Sequence, residues 1–232
     1  MKRLKERMIQ FDGDYKNIPI IINNFNRLEY PTRLITSLEK LGYFNIHILD
    51  NNSTYPPLLD YYRNTAYTVH HLGKNLGHLA LWKSGVFKHF KKSFYVYTDP
   101  DLEIVDECPA DFMKYFVEVL QQNPLVQKIG LALKYNDLPA HFKKKEEVIR
   151  WEKNFYTDKF GDGLYRAHVD TTFALYRPGA KGGSHEYKLS LRTVFPYECR
   201  HLPWYENSDN PGEENLYYIN SARTSTFWTS KK

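Results

Sequence analysis

Along the first hundred residues, apolar runs alternate with stretches of helical period. "IPIIINNF" (18–25) is a continuous apolar run that breaks at Asn23-Asn24, the pattern of a strand buried on both faces. "YPTRLITSLEKLGY" follows, with Leu34, Leu38 and Leu41 at i, i+4 and i+7, Pro31 near its start and Gly42 at its end, which predicts a helix. "NIHILDNNS" (45–53) predicts a second strand, "YPPLLDYYRN" a short helix, and "AYTVHHL" (66–72) a third strand. "GKNLGHLALWKSGVFKHF" predicts another helix, and "SFYVYTDPDLEI" (93–104) a fourth strand that runs into Asp99-Pro100-Asp101.

This alternation predicts an α/β fold, an open and largely parallel sheet flanked by helices. Beyond residue 105 the pattern loosens. "DFMKYFVEVLQQN" predicts a helix, "KIGLAL" (128–133) a strand and "VDTTFALYR" (169–177) another, with a long polar stretch at 136–168 between them. No linker is visible, so one domain over 1–232 is expected: a Rossmann-like half at 18–104 and a less regular half at 105–232.

Composition narrows the classes. At 42% hydrophobic and 25% charged residues, the 232-residue chain can build a core. The +5 charge is spread over Lys2, Arg3, Lys5, Arg7, Lys91-Lys92, Lys143-Lys144-Lys145 and the C-terminus. Such spread favours anionic substrates, or peripheral contact with a membrane surface, over nucleic acid. Cys108 and Cys199 have no metal-ligand spacing. The chain has no signal-type apolar segment and no run long enough to span a bilayer. A cytoplasmic protein is expected, with the inner face of the membrane as a second location.

The candidate chemistry lies where strands end. Asn24 and Asn26 follow the first strand, Asp50 the second, Asn75 the third, and Asp99 and Asp101 the fourth. Open α/β sheets bind ligands beyond those carboxyl ends, although Asn and Asp also build ordinary turns. "GKNLG" is not a phosphate-binding loop, and no G-x-G-x-x-G follows the first strand. A phosphate would then be held through a cation, and two aspartates one residue apart suit Mg2+ or Mn2+. His201 in "RHLPWYEN" (200–207) is a further candidate for that metal or a phosphate.

Taken in order, "IIINNFNRLEY", "ILDNNST", "GKNLGHLALWKSG" and "YTDPDLEI" resemble the nucleotide-sugar glycosyltransferases of the GT-A type, most closely glycosyltransferase family 2. The resemblance covers residues 18–104 and is loose beyond them. It implies a GT-A-like fold, a nucleoside-diphosphate-sugar donor, a glycan or lipid-linked acceptor, and Mn2+ or Mg2+. It places Asp50 on the base, Asp99 on the ribose or metal, and Asp101 on the metal that bridges the diphosphate. An inverting reaction also needs a base for the acceptor hydroxyl, and the family takes an acid near the start of a late helix. "SDNPGEENLYYI" offers Glu213 and Glu214 there, Glu214 matching the usual position, with Asp170 as a rival. Glutamates in a first helical turn are also ordinary dipole partners.

An acid at Asp50 can accept from a pyrimidine N–H, so UDP is the expected donor nucleotide. Lys143–Lys145, Trp151, Phe155 and Tyr156 are expected to form an acceptor wall. Two other classes stay open: a phosphohydrolase of the haloacid dehalogenase type, and a non-catalytic sugar-nucleotide-binding protein.

Overall fold

The computed structural model describes residues 11, 13–170, 172–183, 187–207, 209–210 and 212–221. Strands β1 (Ile20–Asn24), β2 (Ile46–Asp50), β3 (Thr68–His71) and β4 (Tyr95–Thr98) are joined by α1 (Glu29–Lys40), α2 (Pro56–Asn64) and two single turns, α3 (Ala80–Lys83) and α4 (Phe87–Phe90). β1 is buried at every position because both its faces are covered. Ile20 and Ile22 join the core with Leu34 and Leu38 of α1, whereas Ile21 lies in a second cluster with Leu81, Phe87 and Tyr97. A strand packed on both faces has no polar face, hence its unbroken apolar run.

The larger sheet has the order β3-β2-β1-β4-β10-β6-β11-β9-β8. Its second half holds β6 (Lys128–Gly130), β8 (Lys159–Gly161), β9 (Leu164–Arg166), β10 (Ala174–Tyr176) and β11 (Ser190–Arg192). A smaller sheet pairs β5 (Leu102–Ile104) with β12 (Glu198–His201) and β12 with β7 (Ala132–Leu133). The remaining helices are α5 (Phe112–Gln122), α6 (Lys145–Lys153) and α7 (Glu213–Ser221). One apolar cluster draws on both halves of the chain, from Ile18 to Trp204.

The expected α/β sheet is present: β1 to β4 pair in parallel, and beyond β4 the sheet becomes mixed, because β10 is antiparallel to both β4 and β6. Individual elements differ from expectation. The expected helix over 73–90 is broken: Gly73 and Gly77 take positive φ and Ser84 is extended, and neither state continues a helix. Strand 128–133 divides between the two sheets as β6 and β7. The polar stretch 136–168 contains α6 and the β8–β9 hairpin, while β11 and β12 were not anticipated.

Lys2, Arg3, Lys5, Arg7 and the C-terminal lysines lie outside the described residues, as do Ser208 and Pro211 of "SDNPGEENLYYI". Among those described, no helix is long and apolar enough to cross a membrane.

Candidate active site at the switch point

Strand order reverses at β1, whose neighbours β2 and β4 lead away in opposite directions. The crevice above β1 and β4 is therefore the switch point where open sheets bind ligands. Register brings the expected residues to this edge: Asn24 pairs with Asp50, Asp50 with His71, and Ile22 with Thr98, the residue before Asp99.

The asparagines and Asp50 build the loops of that edge. Asn26 takes φ 51°, and its Oδ1 accepts the backbone N–H groups of Thr54 (2.6 Å) and Tyr55 (3.0 Å). Its amide donates to Ser221 Oγ at 2.9 Å. Asn24 donates to Arg27 O (2.7 Å) and Tyr62 Oη (2.9 Å). Asp50 is 3% exposed; its Oδ1 accepts from Ser53 N at 3.1 Å, and its Oδ2 lies 3.2 Å from His71 Nδ1. Asn75 is exposed and closes its own turn onto Gly77 N. Its loop is held instead by Asn23 and Asn51, whose amides reach Gly77 O.

The acidic motif spans two sheets. Asp99 follows β4 of the larger sheet, and Asp101 precedes β5 of the smaller one. β12 runs antiparallel to β5 with His201 opposite Leu102, and Leu202 N donates to Asp101 O at 2.8 Å. This register sets His201 Nε2 3.3 Å from Asp101 Oδ2. The imidazole packs on Trp204, ring centroids 4.8 Å apart. Burial pushes the Asp101 carboxyl up, but the charge and hydrogen bond of His201, with Arg27, hold it below its ordinary value.

At 3.3 Å Asp101 and His201 are joined as a hydrogen-bonded ion pair, and His201 Nε2 would have to release its proton before both could ligate an octahedral cation, whose adjacent ligands stand about 3 Å apart. Among the described residues, no group of three His, Cys, Asp or Glu side chains is assembled as a metal site. Asp99 is therefore not gathered with the pair, and phosphate oxygens or water would complete the coordination.

The acid candidates differ. Glu214 caps α1: its Oε2 accepts from Leu28 N at 2.8 Å and Glu29 N at 3.0 Å. Leu28, at the cap position, has no side chain able to do this. Burial raises the Glu214 carboxyl, only partly offset by those two bonds. Glu213 and Asp170 are exposed. Asp170 acts electrostatically on Lys128, whose ammonium burial pushes down to about 8, and both Asp170 and Asp99 act on Tyr176.

In sequence, no family model and no curated protein matches this chain. In structure, GalNAc-T7, determined with UDP, GalNAc and Mn2+, superposes with a TM-score of 0.51 at 16% identity, over 82% of this chain and 44% of that one. The fold is of the GT-A type. Glucosyl-3-phosphoglycerate synthase from Mycobacterium tuberculosis, with Mn2+ and UDP-glucose, gives a TM-score of 0.43 at 15% identity, over 76% of this chain and 60% of that one. The 4-diphosphocytidyl-2C-methyl-D-erythritol synthase of Anaerococcus prevotii DSM 20548 gives 0.42 at 8% identity, over 88% and 97%. The chain thus spans under two thirds of both transferase chains.

On this GT-A sheet, sequence reasoning missed Arg27, Tyr30, Glu206 and Asn215, which hydrogen bonds and ring packing join next to Asp101. They lie up to 188 positions apart. No spacing rule connects such positions, and only the fold shows them as a group.

Proposed function

We propose that the protein transfers a sugar from a nucleoside-diphosphate sugar, a UDP-sugar by preference, to a glycan or lipid-linked acceptor with Mn2+ or Mg2+. The observation that carries this is the Asp101–His201 pair, 3.3 Å apart at the switch point of a GT-A sheet. The bound UDP and Mn2+ of the superposable GalNAc-T7 structure support the choice of ligands.

In this proposal Asp101 and His201 hold the cation, with Asp99 on the ribose or the metal. The cation, when bound, would offset the charge that gathers on the departing diphosphate. Asp50 and the loops built by Asn24, Asn26 and Asn75 shape the nucleoside end. The acceptor proton goes to an acid on the opposite side of the donor if the reaction inverts. Glu214 is committed to capping α1. Glu214, Glu213 and Asp170 are the candidates for that proton: Glu214 would have to give up the α1 cap to take it, whereas Glu213 and Asp170 are exposed.

Lys143 pairs with Asp209, and Lys145 donates to Leu138 O at 2.7 Å, so these two lysines have partners within the chain before any acceptor. Trp151, 63% exposed, is the more available surface. A phosphohydrolase of the haloacid dehalogenase type is less favoured because its acidic motif ends the first strand, whereas here it ends the fourth.

Calorimetric titration with UDP and GDP, each with and without Mn2+, tests the proposal. Mn2+-dependent UDP binding is expected. A tenfold preference for GDP, about 1.4 kcal/mol, would reassign the nucleotide, and binding indifferent to the ion would remove the metal. Turnover of the donor sugar, beyond binding alone, separates an enzyme from a sugar-nucleotide-binding protein.

A further inference from the structure

Four side chains form a closed circuit that ties the loop after β1 to the loop after β12, the strand that carries His201. Arg27 donates Nη1 to Asn215 Oδ1, and Asn215 donates Nδ2 to Glu206 Oε2. Tyr30 donates its hydroxyl to Glu206 Oε1, and its ring centre lies 4.7 Å from the Arg27 guanidinium, closing the loop. Tyr218 lies over the guanidinium as well, at 3.9 Å. Arg27 is only 7% exposed. A guanidinium is seldom desolvated to this extent without partners that satisfy it. Its charge acts on Asp101 and Glu214, and Tyr30 stands in the fields of both Asp101 and Glu206.

We infer that Arg27 is a positioning residue of the donor end of the site, clamped by Tyr30, Glu206, Asn215 and Tyr218 so that one fixed positive charge stands beside Asp101. The inference rests on the donor proposal above and deepens it. A diphosphate brings negative charge to a rim that already holds Asp99, Asp101, Glu206 and Glu214. A fixed guanidinium offsets part of that repulsion. Its planar fork and its two aromatic neighbours keep it from swinging away, which a lysine ammonium in the same place would not match. The circuit also makes α7 part of the site, through Asn215 and Tyr218.

The test is calorimetry on the full chain, with UDP and with uridine as probes, each in the presence of Mn2+. Arg27→Lys is expected to weaken UDP binding about tenfold while leaving uridine binding unchanged. Tyr30→Phe and Glu206→Gln are expected to weaken UDP less. Glu206→Gln should add little on the Arg27→Lys background, because groups in one network are not additive. Wild-type UDP affinity in Arg27→Lys overturns the inference. Equal losses for UDP and uridine also overturn it, since the whole loop has then moved. Wild type that binds no UDP with Mn2+ fails at the donor proposal itself, a result distinct from either. Should Arg27→Lys unfold, Tyr30→Phe, which removes one oxygen and keeps the ring, decides in its place: unchanged UDP binding overturns the inference.

Discussion

Asp101 Oδ2 and His201 Nε2 lie 3.3 Å apart because β5 and β12 are antiparallel neighbours with Leu102 opposite His201. One hundred positions of chain separate the two residues, and a single pairing in the smaller sheet brings them together.

Asp101→Asn keeps the shape and one acceptor oxygen but removes the charge. It is expected to abolish most Mn2+-dependent UDP binding, a loss above about 1.4 kcal/mol, with the melting temperature little changed. Calorimetry beside a thermal melt checks this. Equal UDP binding with and without Mn2+, in both proteins, would sink the metal assignment.

The His47–His70 pair makes stability depend on pH. Burial pushes His47 down to about 4, and His70 adds to the effect. His70 is itself lowered, first by burial and then by His89 and His71. Asn45 and Phe90 also face the pair. The unfolded chain binds protons near the ordinary histidine value of about 6.5, above the folded one. Stability is therefore complete above about 6.5 and declines as pH falls towards about 4. Denaturant midpoints at about pH 7 and about pH 5 should diverge more in wild type than in His47→Phe. Equal divergence would place the sensitivity elsewhere.

Glu152 and Arg192 form a buried ion pair at 2.9 Å, each side chain 3% exposed. Arg192→Met strands the carboxylate and is expected to cost about 3–5 kcal/mol in chemical denaturation. Adding Glu152→Leu should recover most of that loss, because no buried charge remains. A double variant as unstable as the single one would show that shape, not charge, governs the site.

Gly130 has no room for a methyl group: a Cβ there would stand 2.4 Å from Val169 Cγ1 and 3.2 Å from Phe173 O. Gly130→Ala is expected to cost about 1–3 kcal/mol and to displace the segment that carries Asp170. If Asp170 is the base, turnover falls more than UDP binding does. Wild-type stability would show that Val169 yields.

The first half of the chain was legible in β1, an unbroken apolar run, and in α1, one helical period, but not over 73–90, where positive φ at Gly73 and Gly77 breaks the expected helix. The second half was not, for reasons visible in single residues. α6 buries Val148 and a charged Glu152, so its buried face carries no apolar stripe, and the partner that makes this tolerable, Arg192, lies 40 positions on. β12 reads Glu-Cys-Arg-His, with Cys199 and His201 buried, and its polar content concealed a strand. Among the candidate residues, Asp50, Asp99 and Asp101 stand out in the sequence from their place after strands. Glu206 and Asn215 do not, since a carboxylate and an amide near a chain end signal nothing without the surface they meet.

The Asp-Pro-Asp motif sits on the seam between two sheets, with Asp99 closing one and Asp101 opening the other. The separation of the two carboxylates is therefore a gauge of the angle between those sheets. Any group that grips both would act as a spacer, locking the half built on β1 to β4 and the strand bearing His201 at one setting.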